Sequence, residues 1–211
     1  MKTDDLIDLL AHDATPQWPF RRLFDIALLC GIAVAGVLFF ATIGPRHDFA
    51  QSLETVRFLL KFVVTLTLLT GAIGVTLALA RPGVEAGVWA FVLAAAPLVL
   101  IGAVAAELYL LPPEAWMTYL VGRNAAFCLK VIPFLALGPL ACLLLVLRRG
   151  APANAGRAGA LAGLTAGAIA ATFYAAHCPD DSPLFIAVWY SLAIMAVTAV
   201  GYVGGRLLLR W

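Results

Sequence analysis

The sequence predicts an all-α polytopic membrane protein with six transmembrane helices and both termini in the cytoplasm. Three observations predict it. First, 63% of the 211 residues are hydrophobic and only 12% are charged, with a mean hydropathy of +0.97. A soluble domain carries about a quarter charged residues, so the apolar surface of this chain must face something other than water. Second, six stretches reach the roughly 20 apolar residues needed to cross a hydrocarbon core. Third, the basic residues are shared unequally between the two sets of loops that six spans would create.

The chain opens with the leader "MKTDDLIDLLAHDATPQWPF". Thr3 is a candidate N-cap, and Asp4 and Asp5 follow where the helix dipole favours negative charge. Leu6, Ile7, Leu9 and Leu10 make a narrow apolar stripe, with Asp8, His12 and Asp13 on other faces. Interfacial membrane helices are rich in Lys and Arg on their polar face. This one is acidic, which suits a basic groove on another protein better than an anionic membrane. A plain N-terminal helix with no partner is the alternative. Thr15, Pro16, Gln17 and Pro19 then form a short stiff tether, and no small-residue cleavage site marks a signal peptide.

The six spans run Leu23–Ile43, Phe58–Ala80, Gly87–Leu108, Ala125–Leu147, Ala158–Ala176 and Leu184–Leu208. Helix breakers separate them: "IGPRHD", "ARPG", "LPPE", "RRGAPANAGR" and, between the last two, "YAAHCPDDSPLF". A membrane barrel would need alternating strands of about ten residues, which the sequence lacks. An even number of spans puts both termini on one side. With them fall Lys2, Arg21, Arg22, Arg81, Arg148, Arg149, Arg157, Arg206 and Arg210, against Arg46, Arg57, Lys61, Arg123 and Lys130 on the other. That excess places the termini in the cytoplasm and "YAAHCPDDSPLF" on the far side.

The four cysteines, Cys30, Cys128, Cys142 and Cys178, include no CxxC pair. Cys30 and Cys142 lie in the cytoplasmic halves of their spans and read as small apolar packing residues. Cys128, at the outer start of the fourth span, and Cys178, at the outer end of the fifth, share one depth facing an oxidising compartment. They could form a disulfide switch, a metal site with neighbouring His177 and Asp180, or a static bridge. Cys and His suit zinc or copper, and carboxylates suit harder ions. In "CPDDSP", Asp181 or Ser182 reads as an N-cap with Pro183 at the first helical position.

Arg57, Lys61, Glu107, Arg123 and Lys130 lie near span ends, close enough to an interface to snorkel or pair there. No charge sits at mid-span and no paired broken helices are visible, which weakens a transporter or channel reading. A membrane thiol oxidoreductase would need a second reactive cysteine pair beside the outer one. No catalytic residue set emerges, so the chain reads as a non-enzyme.

The leader "MKTDDLIDLLAHDATP", the thiol segment "FCLKVIPFLALGPL" and the block "AAHCPDDSPLFIAVWY" together resemble the NrsF-like family of bacterial membrane-bound anti-sigma factors, over essentially the whole chain. The resemblance implies an inner-membrane protein of two parts. Residues 1–22 would be a cytoplasmic segment that binds an extracytoplasmic-function sigma factor; its acidic start and apolar stripe, Asp4, Asp5, Leu6, Ile7, Leu9 and Leu10, read from the leader pattern itself, are the candidate contacts. Residues 23–211 would be a six-helix transmembrane sensor. Cys128 and Cys178 would sense oxidation or metal stress and release the sigma factor. No cofactor is obligatory, a transition-metal ion at Cys128, Cys178 and His177 is the candidate ligand, and no direct contact with nucleic acid is expected.

Overall fold

The structure is a computed structural model and describes residues 19–80, 84, 86–150, 152 and 154–209. The leader residues Asp4, Asp5, Leu6, Ile7, Leu9 and Leu10 lie outside the described residues. Among those described, six helical segments are long and apolar enough to cross a membrane. They are α1 (Phe20–Thr42), α3 (Val56–Leu79), α4 (Val88–Leu110), α6 (Ala125–Leu147), α7 (Ala155–Ala175) and α8 (Pro183–Leu208). Two short helices join them at one end of the bundle, α2 (Phe49–Ser52) and α5 (Pro113–Val121). That end also carries residues 176–182 and is called the knot end below; the other is the terminal end.

The expected spans agree with the observed ones to within a few residues. The exceptions lie at the knot end. "LPPE" breaks α4 as expected, but Pro113 then stands at the first position of α5, where its missing N–H costs nothing. Gly122 ends α5 at φ +58°, and a side chain there would strike the ring of Phe185. The α6 helix starts three residues later, at Ala125, so one apolar run holds two helices. Within α8, residues Ile186–Tyr190 form a π-helical turn. The turn buries Ile186 and Tyr190, while Trp189 Nε1 donates to the Leu120 carbonyl at 2.8 Å and ties α8 to α5.

The core lies between α6, α7 and α8, with α1 against α6 and α3 against α7. Helix α7 is central: 72% of its most apolar window is buried, against 11% for α4. Its Ala and Gly residues explain this, because small side chains let neighbouring backbones come close when lipid provides no hydrophobic drive for association. By contrast, α4 is apolar on every face, packs chiefly on α3, and buries only Ala96 and Glu107.

Candidate functional site

The site is built around the link between α7 and α8. At the end of α7 the N–H groups of His177 and Cys178 both bond back to the Tyr174 carbonyl at 3.0 Å, and Pro179 prevents further helix. Ser182 caps α8: its Oγ accepts from the Leu184 N–H at 3.2 Å, and Pro183 occupies the first helical turn. The expectation of a cap at Asp181 or Ser182 therefore resolves to Ser182, and Asp181 has other partners.

Each residue of the loop reaches a different part of the bundle. The Ala176 carbonyl accepts from Arg46 N at 3.0 Å, and His177 Nδ1 meets the Gly44 carbonyl at 2.9 Å, both in the segment after α1. From α3, Lys61 Nζ donates to the Cys178 carbonyl at 2.6 Å and pairs with Asp181 at 2.5 Å. Asp181 also accepts from Arg46 at 3.0 Å. The Asp180 carboxylate accepts from Arg123 N, from Asn124 N at 2.9 Å and from Asn124 Nδ2 at 3.0 Å, holding the start of α6. From α4, Glu107 Oε2 accepts from Ser182 Oγ at 2.6 Å and from Leu184 N at 3.2 Å, while its Oε1 faces Arg57 at 3.1 Å. Residues 176–184 thus reach α3 and α4 directly and the segments that adjoin α1 and α6.

Two of these partners are charges inside the fold. Lys61 is 0% exposed and Glu107 is 4% exposed. Removing one partner of such a pair strands a buried charge, at about 3–5 kcal/mol. Outside the bundle, the Arg46 guanidinium holds the exposed Asp48 carboxyl below the usual carboxylate range, and Asp48 and Asp181 raise Arg46 in return.

The knot covers the two cysteines. Cys128, in the first turn of α6, and Cys178 are both 0% exposed, both are free thiols, and both belong to one buried cluster with Tyr174, Phe185 and Tyr190. Burial pushes the Cys178 thiol up, and the Lys61 ammonium opposes that shift only in part. Its Sγ makes a weak contact to the Asp180 carbonyl at 3.9 Å. The Tyr174 and Tyr190 hydroxyls are buried without an oxygen or nitrogen partner and face the Cys178 sulfur, a weak hydrogen-bond acceptor. An unsatisfied buried hydroxyl costs about 1–3 kcal/mol, and a thiol sulfur offsets only part of that.

The sequence-predicted site residues fall into three sets. Cys128 and Cys178 come together. His177 and Asp180 surround them but are engaged with Gly44 and with the start of α6, and no group of three or more His, Cys, Asp or Glu side chains gathers among the described residues. The leader positions lie outside the described residues. At the opposite end Cys30 is exposed on the bundle surface rather than packed, within electrostatic reach of half-buried Cys142 on α6. The sequence reading treated Lys61 and Glu107 as interfacial charges; they point inward. The available signal was an ionisable residue within an apolar helix, which by default has a functional partner.

Fold and site define a class: a polytopic helical membrane protein whose spans are gathered at one end by a polar loop over a buried pair of free thiols. The chain belongs to the family described as "NrsF: Negative regulator of sigma F", which it matches over residues 10–211. It is 39% identical over 220 residues to the "Anti-sigma-F factor NrsF" of Caulobacter vibrioides (strain NA1000 / CB15N), covering 100% of both chains. It is 33% identical over 216 residues to the "Probable anti-sigma-F factor NrsF" of Azospira oryzae (strain ATCC BAA-33 / DSM 13638 / PS), again covering 100% of both. No solved structure matches it.

Proposed function

We propose that the protein is an anti-sigma factor of the bacterial inner membrane, a regulator rather than an enzyme. Residues 1–22, in the cytoplasm, hold an extracytoplasmic-function sigma factor through Asp4, Asp5 and the stripe Leu6, Ile7, Leu9 and Leu10. Residues 23–211 form the sensor. The full-length similarity to proteins named anti-sigma-F factors supports the regulatory half. One observation carries the sensing half: Cys178 sits in the loop that reaches α3, α4 and the segments adjoining α1 and α6, and its own carbonyl is the acceptor for the buried Lys61.

The resting thiols are protonated, because burial disfavours the charged sulfur at Cys178. Signalling replaces those protons with a bond between the residues. In one form two S–H bonds break and one S–S bond forms, releasing two protons and passing two electrons to an external oxidant such as a peroxide. In the other, a thiophilic metal ion displaces both protons and is held by the two sulfurs, which share one buried cluster. Either event repositions Cys178 and so alters the hold of its carbonyl on Lys61 and of its neighbours on Asp181 and Glu107. A ligand shifts such an equilibrium only by its differential affinity for the two states.

The test is a reporter driven by the sigma factor in cells carrying the full-length protein. Leu6→Asp and Leu9→Asp should lose co-purification of the sigma factor and leave the reporter constitutively on, since a charge in an apolar groove is desolvated without a partner. Cys128→Ser and Cys178→Ser should each keep repression and lose induction, with the double variant no worse than either single one. Variants that insert, repress and still induce would remove the thiols from the mechanism. A topology reporter at residue 211 reading outside the cytoplasm would overturn the assignment of sides.

A further inference from the structure

At the terminal end, α6 and α8 part slightly and leave a lateral groove of about 330 Å³. Its walls are Leu137, Leu140, Leu144 and Leu145 of α6 and Leu208 of α8, and one polar side chain closes it, Arg148. Neighbouring Gly204 of α8 lies against Leu144, so the two helices touch just beside the groove and fix its depth. From Leu137 to Arg148 the helix advances roughly 16 Å, at ~1.5 Å per residue. That is about the depth of one leaflet of a ~30 Å hydrocarbon core.

We propose that this groove is a binding site for an anionic glycerophospholipid of the leaflet at the terminal end. One acyl chain lies along the leucines and the headgroup phosphate sits on Arg148. Three features choose this occupant. The groove opens sideways on membrane-spanning helices, where the surrounding molecules are lipids. Its length and apolar lining fit a single chain. Its one charge is a guanidinium at the interfacial mouth, the geometry that binds a phosphate oxygen pair and the arrangement by which basic pockets between spans hold acidic lipid headgroups. The exposed Arg149 follows directly, and among the described residues no carboxylate lines the groove. A zwitterionic lipid would offer the same chain but would bring its own cation to the mouth. The lipid would act as a wedge between α6 and α8, at the opposite end of the helices whose starts carry Cys128 and Ser182. The inference does not depend on the proposed function.

Native mass spectrometry of the purified full-length protein in detergent tests it, with phosphatidylglycerol and phosphatidylcholine added at equal chain length. One phosphatidylglycerol should be retained at least ~5-fold more than phosphatidylcholine, about 1 kcal/mol on the scale of 1.4 kcal/mol per decade. Arg148→Gln should abolish that preference. Arg157→Gln, which removes the same charge at the same end but away from the groove, should leave it intact. Leu145→Trp fills the groove from its exposed side without entering the core and should lower retention of both lipids, so a folding defect in one variant does not leave the question open. Equal retention of the two lipids by the unsubstituted protein would overturn the proposal, as would a preference that survives Arg148→Gln and Leu145→Trp. A dimer that Leu145→Trp abolishes, with no lipid adduct, would assign the groove to a second copy of the chain and would also overturn it.

Discussion

Helices α7 and α4 are both apolar spans, yet they are held in opposite ways. The α7 helix meets α8 backbone to backbone. A side chain added at Gly159 would collide with the Gly201 carbonyl, one at Gly201 with the Gly159 carbonyl, and one at Gly163 would lie 2.6 Å from the Val197 carbonyl. On α4, by contrast, Gly102 has nothing within 4 Å of the same position. That helix leans on α3, where Gly71 and Gly74 admit Leu93 and Trp89, and its knot end is fastened by Glu107 to Ser182 and Leu184. The lesson is mechanical. The α7–α8 pair has one way to pack, so a change at the loop joining them is not absorbed by the helices below it. Under the proposed function it would be passed to the elements the loop holds through polar groups, and α4 has the least other packing to resist it. Coupling of this kind needs two states that differ in stability, not mere contact.

The largest expected effect breaks the welded pair. Gly159→Val places a branched side chain against the α8 main chain, which cannot yield as a flexible side chain could. Overpacking with backbone movement costs about 1–3 kcal/mol and occasionally more, and this site belongs at the upper end. Thermal melting of the detergent-solubilised protein should drop sharply or the protein should fail to accumulate. Gly102→Ala is the matched control. It gains helix propensity of about 0.8–1 kcal/mol in an open position, so the melting temperature should hold or rise. Equal damage from both substitutions would mean that α4 is packed against something, and the contrast between the two helices would be gone.

Next comes the fastening of α4. Glu107→Gln keeps the shape but removes the charge that Arg57 faces and that Ser182 and the Leu184 N–H bond to. Hydrogen bonds to a charged group contribute about 1.5–3 kcal/mol, and a loss of that size should appear in thermal melting. Cysteine crosslinks engineered between α4 and α3 should also form less selectively, while crosslinks between α7 and α8 stay unchanged. Under the proposed function the same variant should raise the uninduced reporter. Loss of stability with equally loosened α7–α8 crosslinks would show that the knot holds the bundle as one piece and that α4 has no separate freedom.

These differences explain what the sequence could and could not disclose. The spans were legible because length and hydropathy dictate them almost alone. The cap at Ser182 was legible because Ser-Pro before an apolar run has a local mechanism. The meeting of Cys128 and Cys178 followed from depth, since two residues near the same face of a six-helix bundle have few places to be. Lys61 was not legible as a buried partner of Asp181. A lysine one turn inside a span can snorkel or turn inward, and the choice depends on which helix packs beside it. Glu107 posed the same problem, with its partners Ser182 and Leu184 more than seventy residues away in sequence. The π turn of α8 and the α5 helix were hidden by runs whose composition fits a plain helix.

The smallest expected effect has the opposite sign and sits where the welded pair is least regular. Tyr190 lies in the π turn of α8, its ring 5.6 Å from that of Tyr174 and 6.3 Å from Phe185, and its hydroxyl is buried without an oxygen or nitrogen partner. Tyr190→Phe keeps the ring contacts and deletes only the stranded oxygen. Removing one orphaned polar group should therefore stabilise the resting protein by about 1 kcal/mol, a rise of a few degrees in the thermal midpoint. Under the proposed function the gain should also raise the signal needed for induction roughly fivefold, on the scale of 1.4 kcal/mol per decade. Under that proposal the direction follows because the hydroxyl faces Cys178 and would donate better to a thiolate sulfur, whether formed on the way to a disulfide or bound to a metal ion, than to the resting thiol. Phenylalanine would favour the resting state and withhold a donor from the signalled one. Tyr190→Leu controls for packing: it loses the ring as well as the oxygen and should destabilise. If Tyr190→Phe lowers the midpoint instead, the hydroxyl already has a partner in the membrane-embedded protein. The thiol cluster would then be a satisfied piece of core, with no unmet hydrogen bond to draw on when the sulfur changes state.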